Sequence, residues 1–408
     1  MKPLLAASVV ALAALAATGC SAITPNARTA HVDPSGDGVL RIGLLLDNTG
    51  DQSFLNAAEL AGAKLALNQI NAIGGLKGKP VELLPANPGT DAAAQATGYI
   101  SGHADVVIGP TDSANAPAAI DVLSKARTPL VSPANTASVL TGYPSGGYYF
   151  RTQPADVMQA PVLARLAKKA GGKVAVVHEE GSYGSAVGSA VVEELKNADV
   201  QVAADVQASG DAAATAATVK DSSPDAVVVI ARGGAQSLLA ALAGAGVPGS
   251  KLILSDGATA AYGAGLAGSA LKDARGILPG AFPSQGFQEA LLKIDSSLKD
   301  LTYAAETYDA VNLAALAASA ADDDGGPSIA ANLIAVSGGE VPHTAKGQDC
   351  ATFPECVGLL KDGKSINYQG KSGPVDFDGH GDVTGANYTV FTYGADNKPV
   401  AGANETSP

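Results

Sequence analysis

Leu40-Arg41-Ile42-Gly43-Leu44-Leu45-Leu46, followed by a stretch at 53–73 and a second short apolar run at 80–84, decides the fold. The two runs are bounded by turn residues, as strands buried on both faces are. The stretch between them is amphipathic and long enough for a helix. The unit repeats outward: 106–109 and 129–132 read as strands, 91–101 and 114–126 as helices. Strands alternating with helices make a parallel sheet with helices on both faces.

The pattern restarts after a link at 149–154. Strands are expected at 174–178, 200–204, 226–231 and 252–254, with helices at 158–170, 183–197, 212–220, 235–245 and 258–271. A third block follows 276–283, with helices near 286–298, 301–321 and 328–336; strand material at 375–378 and 388–393 closes the chain. Two successive series of similar length predict two similar lobes. In open α/β sheets ligands sit beyond the carboxyl ends of strands, so facing lobes place a site in the cleft between them.

Composition narrows the function. The chain has 408 residues and a formal net charge of −13 with no basic run, a poor match for phosphate backbones, so nucleic acid is not expected as a partner. Aromatics are 4% and Trp is absent, so Ala, Val and Leu must build the core. Glycine, 48 of 408 against a usual share of roughly 7%, makes glycine motifs appear by chance. Gly244-Ala-Gly246-Val-Pro-Gly249 and Gly263-Ala-Gly265-Leu-Ala-Gly268 both fit G-x-G-x-x-G, yet neither lies between a strand and a helix start, so no dinucleotide cofactor is expected.

Catalytic constellations are absent from the sequence. There is no G-x-S-x-G, and the five histidines include no i, i+4 pair for a metal. The segment 376–382 begins like a calcium loop and has Gly381 at the sixth position, but Asn387 stands where a bidentate Glu is needed, leaving an acidic β-turn. Asp322-Asp323-Asp324 reads as a solvated loop. Neither enzyme chemistry nor a metal or other cofactor is therefore expected.

What remains is a set of small polar residues just beyond strands. Ser113 enters a helix after one strand, and Ala134, Asn135 and Thr136 follow the next, so two donor-rich loops can meet a carboxylate. In the second series Tyr183 and Asp256 hold equivalent places, and Asp256 could meet an ammonium group. Each taken alone is also an ordinary helix cap.

The N-terminus and cysteines suggest an address. Lys2 precedes an apolar run at 4–17, too short for a comfortable span and read as an export signal. Ala17-Thr18-Gly19-Cys20 resembles a bacterial lipobox, which implies lipidation at Cys20; cleavage there leaves 389 residues with net charge −14. Residues 21–38 then read as a flexible tether. In an oxidising compartment Cys350 and Cys356 read as a disulfide closing a small loop, worth about 2 kcal/mol in the loop-entropy account, with a metal pair as the alternative.

Segments spread over 40–395 resemble the solute-binding proteins of branched-chain amino-acid-type ABC importers, the type I periplasmic-binding-protein fold. They are Ile42-Gly43-Leu44-Leu45-Leu46, Gln69-Ile70-Asn71-Ala72-Ile73-Gly74-Gly75-Leu76-Lys77-Gly78, Val107-Ile108-Gly109-Pro110, Leu130-Val131-Ser132-Pro133-Ala134, Tyr149-Phe150-Arg151-Thr152, Tyr183-Gly184, Tyr308-Asp309-Ala310 and Gly373-Pro374-Val375-Asp376-Phe377-Asp378. The resemblance implies two Rossmann-like lobes with parallel sheets joined by three crossovers, closing on the ligand by hinge motion. The implied division is a signal at 1–19, a tether at 20–38, an N-terminal lobe at 39–151 plus 282–372, a C-terminal lobe at 152–281 plus 373–400, and a tail at 401–408.

Carried over by position, Ser113, Ala134 and Thr136 would bind an α-carboxylate, and Thr136 and Asp256 an α-ammonium. Tyr183 would close from the second lobe, with Tyr303 near the cleft edge. Leu55 falls where some relatives place an aromatic lid, and Arg232 at or beside a cleft aromatic. An Arg in the pocket would favour a polar or anionic ligand group; the alternative is a surface Arg paired with a carboxylate. The implied function is a monomeric, lipid-anchored receptor on the outer face of the membrane, handing an amino acid or similar zwitterion to a permease. A sensory receptor and an amide or urea receptor share the same fold.

Overall fold

The computed structural model describes residues 26–49, 52–208, 210–280, 283–340 and 347–407. The expected export signal and Cys20 lie outside these residues. The N-terminal lobe begins with β1 (Arg41–Leu44), α1 (Asn56–Ala72), β2 (Glu82–Leu83), α2 (Ala92–Ser101), β3 (Val106–Ile108), α3 (Ala116–Lys125), β4 (Leu130–Ser132) and β5 (Tyr149–Arg151). Its sheet has the order β2-β1-β3-β4-β5 and every pairing is parallel.

The chain then crosses to the C-terminal lobe. There it forms α4 (Ala160–Ala170), β6 (Lys173–Glu179), α5 (Ser182–Asn197), β7 (Gln201–Ala208), α6 (Ala212–Asp221), β8 (Ala226–Ile230), α7 (Ala235–Gly244), β9 (Leu252–Leu254) and β10 (Arg275–Pro279). It returns to the first lobe for α8 (Gln285–Ile294), α9 (Ala304–Ala321), α10 (Gly326–Ser337), β11 (Gln348–Cys350), α11 (Phe353–Lys361) and β12 (Ile366–Tyr368). A third crossing delivers β13 (Ala386–Tyr393) and β14 (Pro399–Ser407) to the second sheet, ordered β14-β13-β10-β9-β8-β6-β7. The fold is thus the two-lobed α/β architecture with three crossovers.

Strand alternation divides each lobe's core. In the second lobe Val174, Val176, Val228 and Ile230 pack with α4 and α5, while Ala175, Val177, Val227 and Val229 pack with α6 and α7. Successive side chains of a strand point to opposite faces, so a continuous Val-rich run feeds both layers. The first lobe does the same with Ile42 and Leu44 on the α9 side and Leu45 and Val107 on the α2 side. Along α9 seven of the fifteen buried residues are alanine, which is how a chain poor in aromatics closes its largest core.

Several expectations are corrected. Residues 258–271 form no helix among the described residues, only short 3-10 turns at Asp256–Ala258 and Gly263–Gly265. Gly263 and Gly268 both take positive φ, which no helix contains. The tail expected at 401–408 is instead most of β14, antiparallel to β13. The second lobe does not begin at 373: Val375, Phe377 and Val383 pack in the first lobe's core, and 375–378 contributes a single bridge, Phe377 to Val383, rather than a strand.

The tether is also shorter than expected. Arg28 is buried, donates to the carbonyls of Tyr149 and His380, and stacks its guanidinium 4.8 Å over the Phe150 ring. The amides of Ser35 and Gly36 donate to Asp323, and those of Asp37 and Gly38 to Asp324. Asp323 and Asp324 are accordingly buried acceptors, not members of a solvated loop.

Two motif residues fasten crossovers. Arg151, at the end of β5 and fully buried, makes a bidentate pair with Asp382 at 2.7 Å through both Nε and a terminal nitrogen. Asp309, fully buried in α9, accepts from the Tyr368 hydroxyl and from Lys371 and Ser372 at the approach to the third crossover. Cys350 and Cys356 form the expected disulfide, with Cα atoms 5.3 Å apart.

Candidate functional site

The two N-lobe loops are locked together before any ligand arrives. The Ser113 hydroxyl oxygen accepts from the amides of Thr136 and Ala137 at 3.2 and 3.3 Å. Behind it, Ser132 Oγ accepts from the amides of Ala134 and Asn135 and donates to the Pro110 carbonyl. Gly109 makes this possible: a Cβ there would lie 2.1 Å from the Leu45 carbonyl oxygen, and its φ is +121°.

Asn135 does not have the expected role. It is fully buried; its amide nitrogen donates to the carbonyls of Pro110 and Thr111, and its oxygen accepts from the Tyr149 hydroxyl. With these groups engaged it clips the two loops together rather than reaching a ligand. Leu55 is likewise buried, and its neighbour Phe54, 63% exposed on the loop leaving β1, is the aromatic at that edge. Ala134 is buried with its amide already held by Ser132.

On the second lobe, Tyr183 opens α5 just past β6, and Asp256 follows β9. The Tyr183 hydroxyl donates to Asp256 Oδ1 and lies 2.9 Å from Ser255 Oγ. Asp256 is fixed again by Gln159, whose Nε2 donates to Oδ1 at 2.7 Å while its Oε1 accepts from the Asp256 amide at 3.1 Å. Gly257 must be glycine, because a Cβ would stand 2.4 Å from Arg232 Cγ and 2.8 Å from the Ala231 carbonyl oxygen.

Arg232 lies 3.8 Å above the Tyr183 ring and donates to Asp156 Oδ1 at 2.9 Å. This fits the alternative reading, an Arg that is 44% exposed and whose charge is matched by a carboxylate. The expectation that it favours an anionic ligand group loses its basis, since the cation is not free. Burial pushes Asp156 up to about 6, held back by Arg232 and raised again by Asp256.

The sequence reading missed Asp156 and Gln159, which a short 3-10 turn at Asp156–Gln159 places on the first crossover. The Asp156 amide donates to the Thr136 carbonyl at 2.7 Å. A continuous chain of contacts therefore runs from Ser113 through Thr136, Asp156 and Arg232 to Tyr183 and Asp256. It joins the predicted carboxylate-binding loops to the predicted ammonium-binding acid. The available signal was their position immediately after the link.

A second missed group sits at the start of α1 and α9. Glu59 is fully buried, and its Oε1 accepts from the Thr111 hydroxyl at 2.7 Å. Glu306 lies in the first turn of α9, and Tyr303, half-buried with φ +63°, caps that helix. Gly62 brings the helices together: a Cβ there would meet the Ala304 carbonyl oxygen at 2.2 Å. Burial pushes Glu59 up to about 8, with Asp47 and Glu306 adding to the rise, and Glu306 up to about 7. Burial also raises the Tyr303 phenol, with Glu306, Asp256 and Glu59 adding to the rise and Arg232 opposing it. No group of metal-ligating side chains occurs among the described residues, including 376–382, where Asp378 accepts from the amides of His380 and Asp382.

This arrangement, two α/β lobes joined by three crossovers with polar residues of both lobes linked across them, defines a two-lobed binding-protein fold. A family model described as periplasmic binding protein matches residues 39–348, and the chain belongs to that family. The relatives and structural neighbours it matches are themselves named as binding proteins. The chain is 28% identical over 351 residues, 82% of this chain and 81% of the relative, to the chemotactic signal transduction system substrate-binding protein BasB of Halobacterium salinarum. It is 31% identical to the Leu/Ile/Val-binding protein of Escherichia coli K12 over 160 residues, 38% of this chain and 41% of that protein. Its fold superposes on the branched-chain amino acid transporter substrate binding protein LivJ of Streptococcus pneumoniae in complex with isoleucine. There the TM-score is 0.60 at 22% identity, covering 90% of this chain and 99% of that one. No helix among the described residues is long and apolar enough to cross a membrane.

Proposed function

We propose that the chain is the extracytoplasmic receptor of an ABC importer, capturing an amino acid or similar small zwitterion between its lobes and delivering it to a permease. The observation that carries this reading is the chain of contacts from Ser113 and Thr136 to Asp256. It offers hydroxyl donors for a carboxylate at one end and a fixed carboxylate for an ammonium at the other. Lobe closure would remove the ligand from water, where such charge-assisted hydrogen bonds gain strength. The reading includes lipid attachment at Cys20 and a monomer in solution.

Calorimetry over amino acids, with scattering to detect compaction, tests it. Asp256→Ala should weaken an amino-acid ligand by about 1.5–3 kcal/mol, the range for hydrogen bonds to charged groups, with the fold intact by circular dichroism. Unchanged affinity would remove Asp256 from the ammonium role. A sensory reading is favoured by one observation: the relative matched over most of both chains is named for chemotactic signalling. Co-purification with a permease rather than a membrane transducer separates the two.

A further inference from the structure

The cleft region carries more acidic groups than one α-ammonium requires. Asp47, Glu59, Asp156, Asp256 and Glu306 are the acids of this region; Arg232, already paired with Asp156, reaches Asp156 and Asp256, and Arg151 also reaches Asp156, but neither Arg acts on Glu59. Asp47 is satisfied within its own lobe, accepting from the Asp112 amide and the Asn115 side chain. Asp256 is held by Tyr183 and Gln159. Glu59 differs: its Oε2 is buried and has no hydrogen-bond partner among the described residues. Its electrostatic neighbours Asp47 and Glu306 are both acids.

A buried carboxylate without a cation is costly, whereas one that awaits a cation from outside is a binding group. Glu59 stands where such a group would be useful. It opens α1 beyond the carboxyl end of β1 and is bonded to Thr111 beyond the end of β3, the edge of the sheet that borders the cleft. Thr111 is in turn clipped through its carbonyl to Asn135, the neighbour of Thr136.

We propose that the bound solute carries a second cationic group, as a diamino or guanidino acid does, and that Glu59, with Glu306 and Tyr303 beside it, receives that cation. This rests on the receptor reading above and names its substrate class. Asp256 takes the α-ammonium, the Ser113 and Thr136 loops take the carboxylate, and the side-chain cation extends past Tyr303. Glu59 is buried in this structure among Thr111, Asp47 and Glu306, so these neighbours must shift to admit the cation. Protonated Glu59 then gives up its proton as the ammonium or guanidinium arrives, and the ionised carboxylate gains the partner that Oε2 lacks.

Calorimetry of the whole chain with lysine, ornithine, arginine, leucine and norleucine tests this without any variant, because norleucine has the lysine side chain with a methyl in place of the ammonium-bearing end. At least one dibasic acid should bind about tenfold or more tighter than norleucine, a difference of about 1.4 kcal/mol. At neutral pH its binding heat should depend on buffer ionisation, reporting release of up to about one proton per ligand, whereas norleucine should release none. Glu59→Gln, which keeps the acceptor for Thr111, should weaken the dibasic ligand about tenfold or more and leave norleucine within about twofold. Norleucine or leucine matching every dibasic acid would overturn the second cation and leave the receptor reading standing. Equal weakening of both ligand kinds by Glu59→Gln would make Glu59 structural and overturn the proposal as well. Absence of binding to any amino acid would overturn the receptor reading itself.

Discussion

Asp382 and Glu59 are both buried carboxylates of the N-terminal lobe, and they end on opposite sides of their ordinary pKa. Burial works to raise Asp382, but the Arg151 hydrogen bonds and charge, with Thr141 and Arg28, more than offset it and hold the group low. Burial raises Glu59 too, and there the single Thr111 hydroxyl is outweighed by burial and acidic neighbours, so it rests near 8. The difference lies in the partner, not in the depth. One carboxylate fastens a crossover and is complete within the chain, while the other lies beside the cleft and is not.

Breaking the complete pair should give a large effect. Arg151→Met leaves Asp382 buried without its bidentate cation, and removing one partner of a buried pair costs about 3–5 kcal/mol. Thermal or urea denaturation should show that loss, and replacing Asp382 with Leu in the same variant should recover much of it, because two apolar groups need no solvation. A loss under about 1 kcal/mol for the single variant would mean that Arg28, which also reaches this site, suffices for Asp382.

The incomplete carboxylate makes a prediction of opposite sign in pH. Its native pKa lies above the ordinary value of 4.5, so the native state prefers the protonated acid. That contribution is fully present below about 4.5 and is lost as the pH rises towards 8. The ligand-free protein should therefore lose stability over this window, by a total on the order of 4 kcal/mol if Glu59 dominates, with Glu306 acting in the same direction up to about 7. Glu59→Gln should flatten the curve, so that the variant gains on the wild type as pH rises. Parallel curves for the two proteins would show that Glu59 does not titrate in this range.

The same contrast explains what could be read from the sequence. Strands such as the one carrying Val174 to Val177 announce themselves because a run buried on both faces must be apolar throughout. The loop residues Ser113, Tyr183 and Asp256 stand out as candidates because they lie in the loops that leave such strands. Glu59 and Glu306 do not, because a Glu in the first turn of a helix is an ordinary favourable placement against the dipole. Their burial depends on Gly62 meeting Ala304, a contact between segments far apart in the chain. Asn135 was misjudged for a related reason: its type and place fit a ligand donor, and only the carbonyls of Pro110 and Thr111 show where its hydrogen bonds go. The described start of the chain, 26–38, looked like a tether because its acceptors, Asp323 and Asp324, come almost three hundred residues later.

Gly62 offers the smallest and most selective test of the comparison. A methyl group at this position would stand 2.2 Å from the Ala304 carbonyl oxygen, closer than any real contact, so α1 and α9 would have to part. Overpacking of this kind costs about 1–3 kcal/mol, and the gain in helix propensity from Gly to Ala returns up to about 1 kcal/mol of it. The net loss should thus be small, about 1–2 kcal/mol by denaturation. Its consequence at the site should be specific, because separating the helices draws Glu59 away from Glu306 and admits water to both. The pH dependence of stability between 4.5 and 8 should then weaken in Gly62→Ala, while the penalty for Arg151→Met stays unchanged in the combined variant, since the two sites share no residue and should add. If Gly62→Ala left the pH profile intact, the raised pKa of Glu59 would have to come from its own burial and Asp47 alone. The pairing of α1 with α9 would then have no part in tuning the cleft.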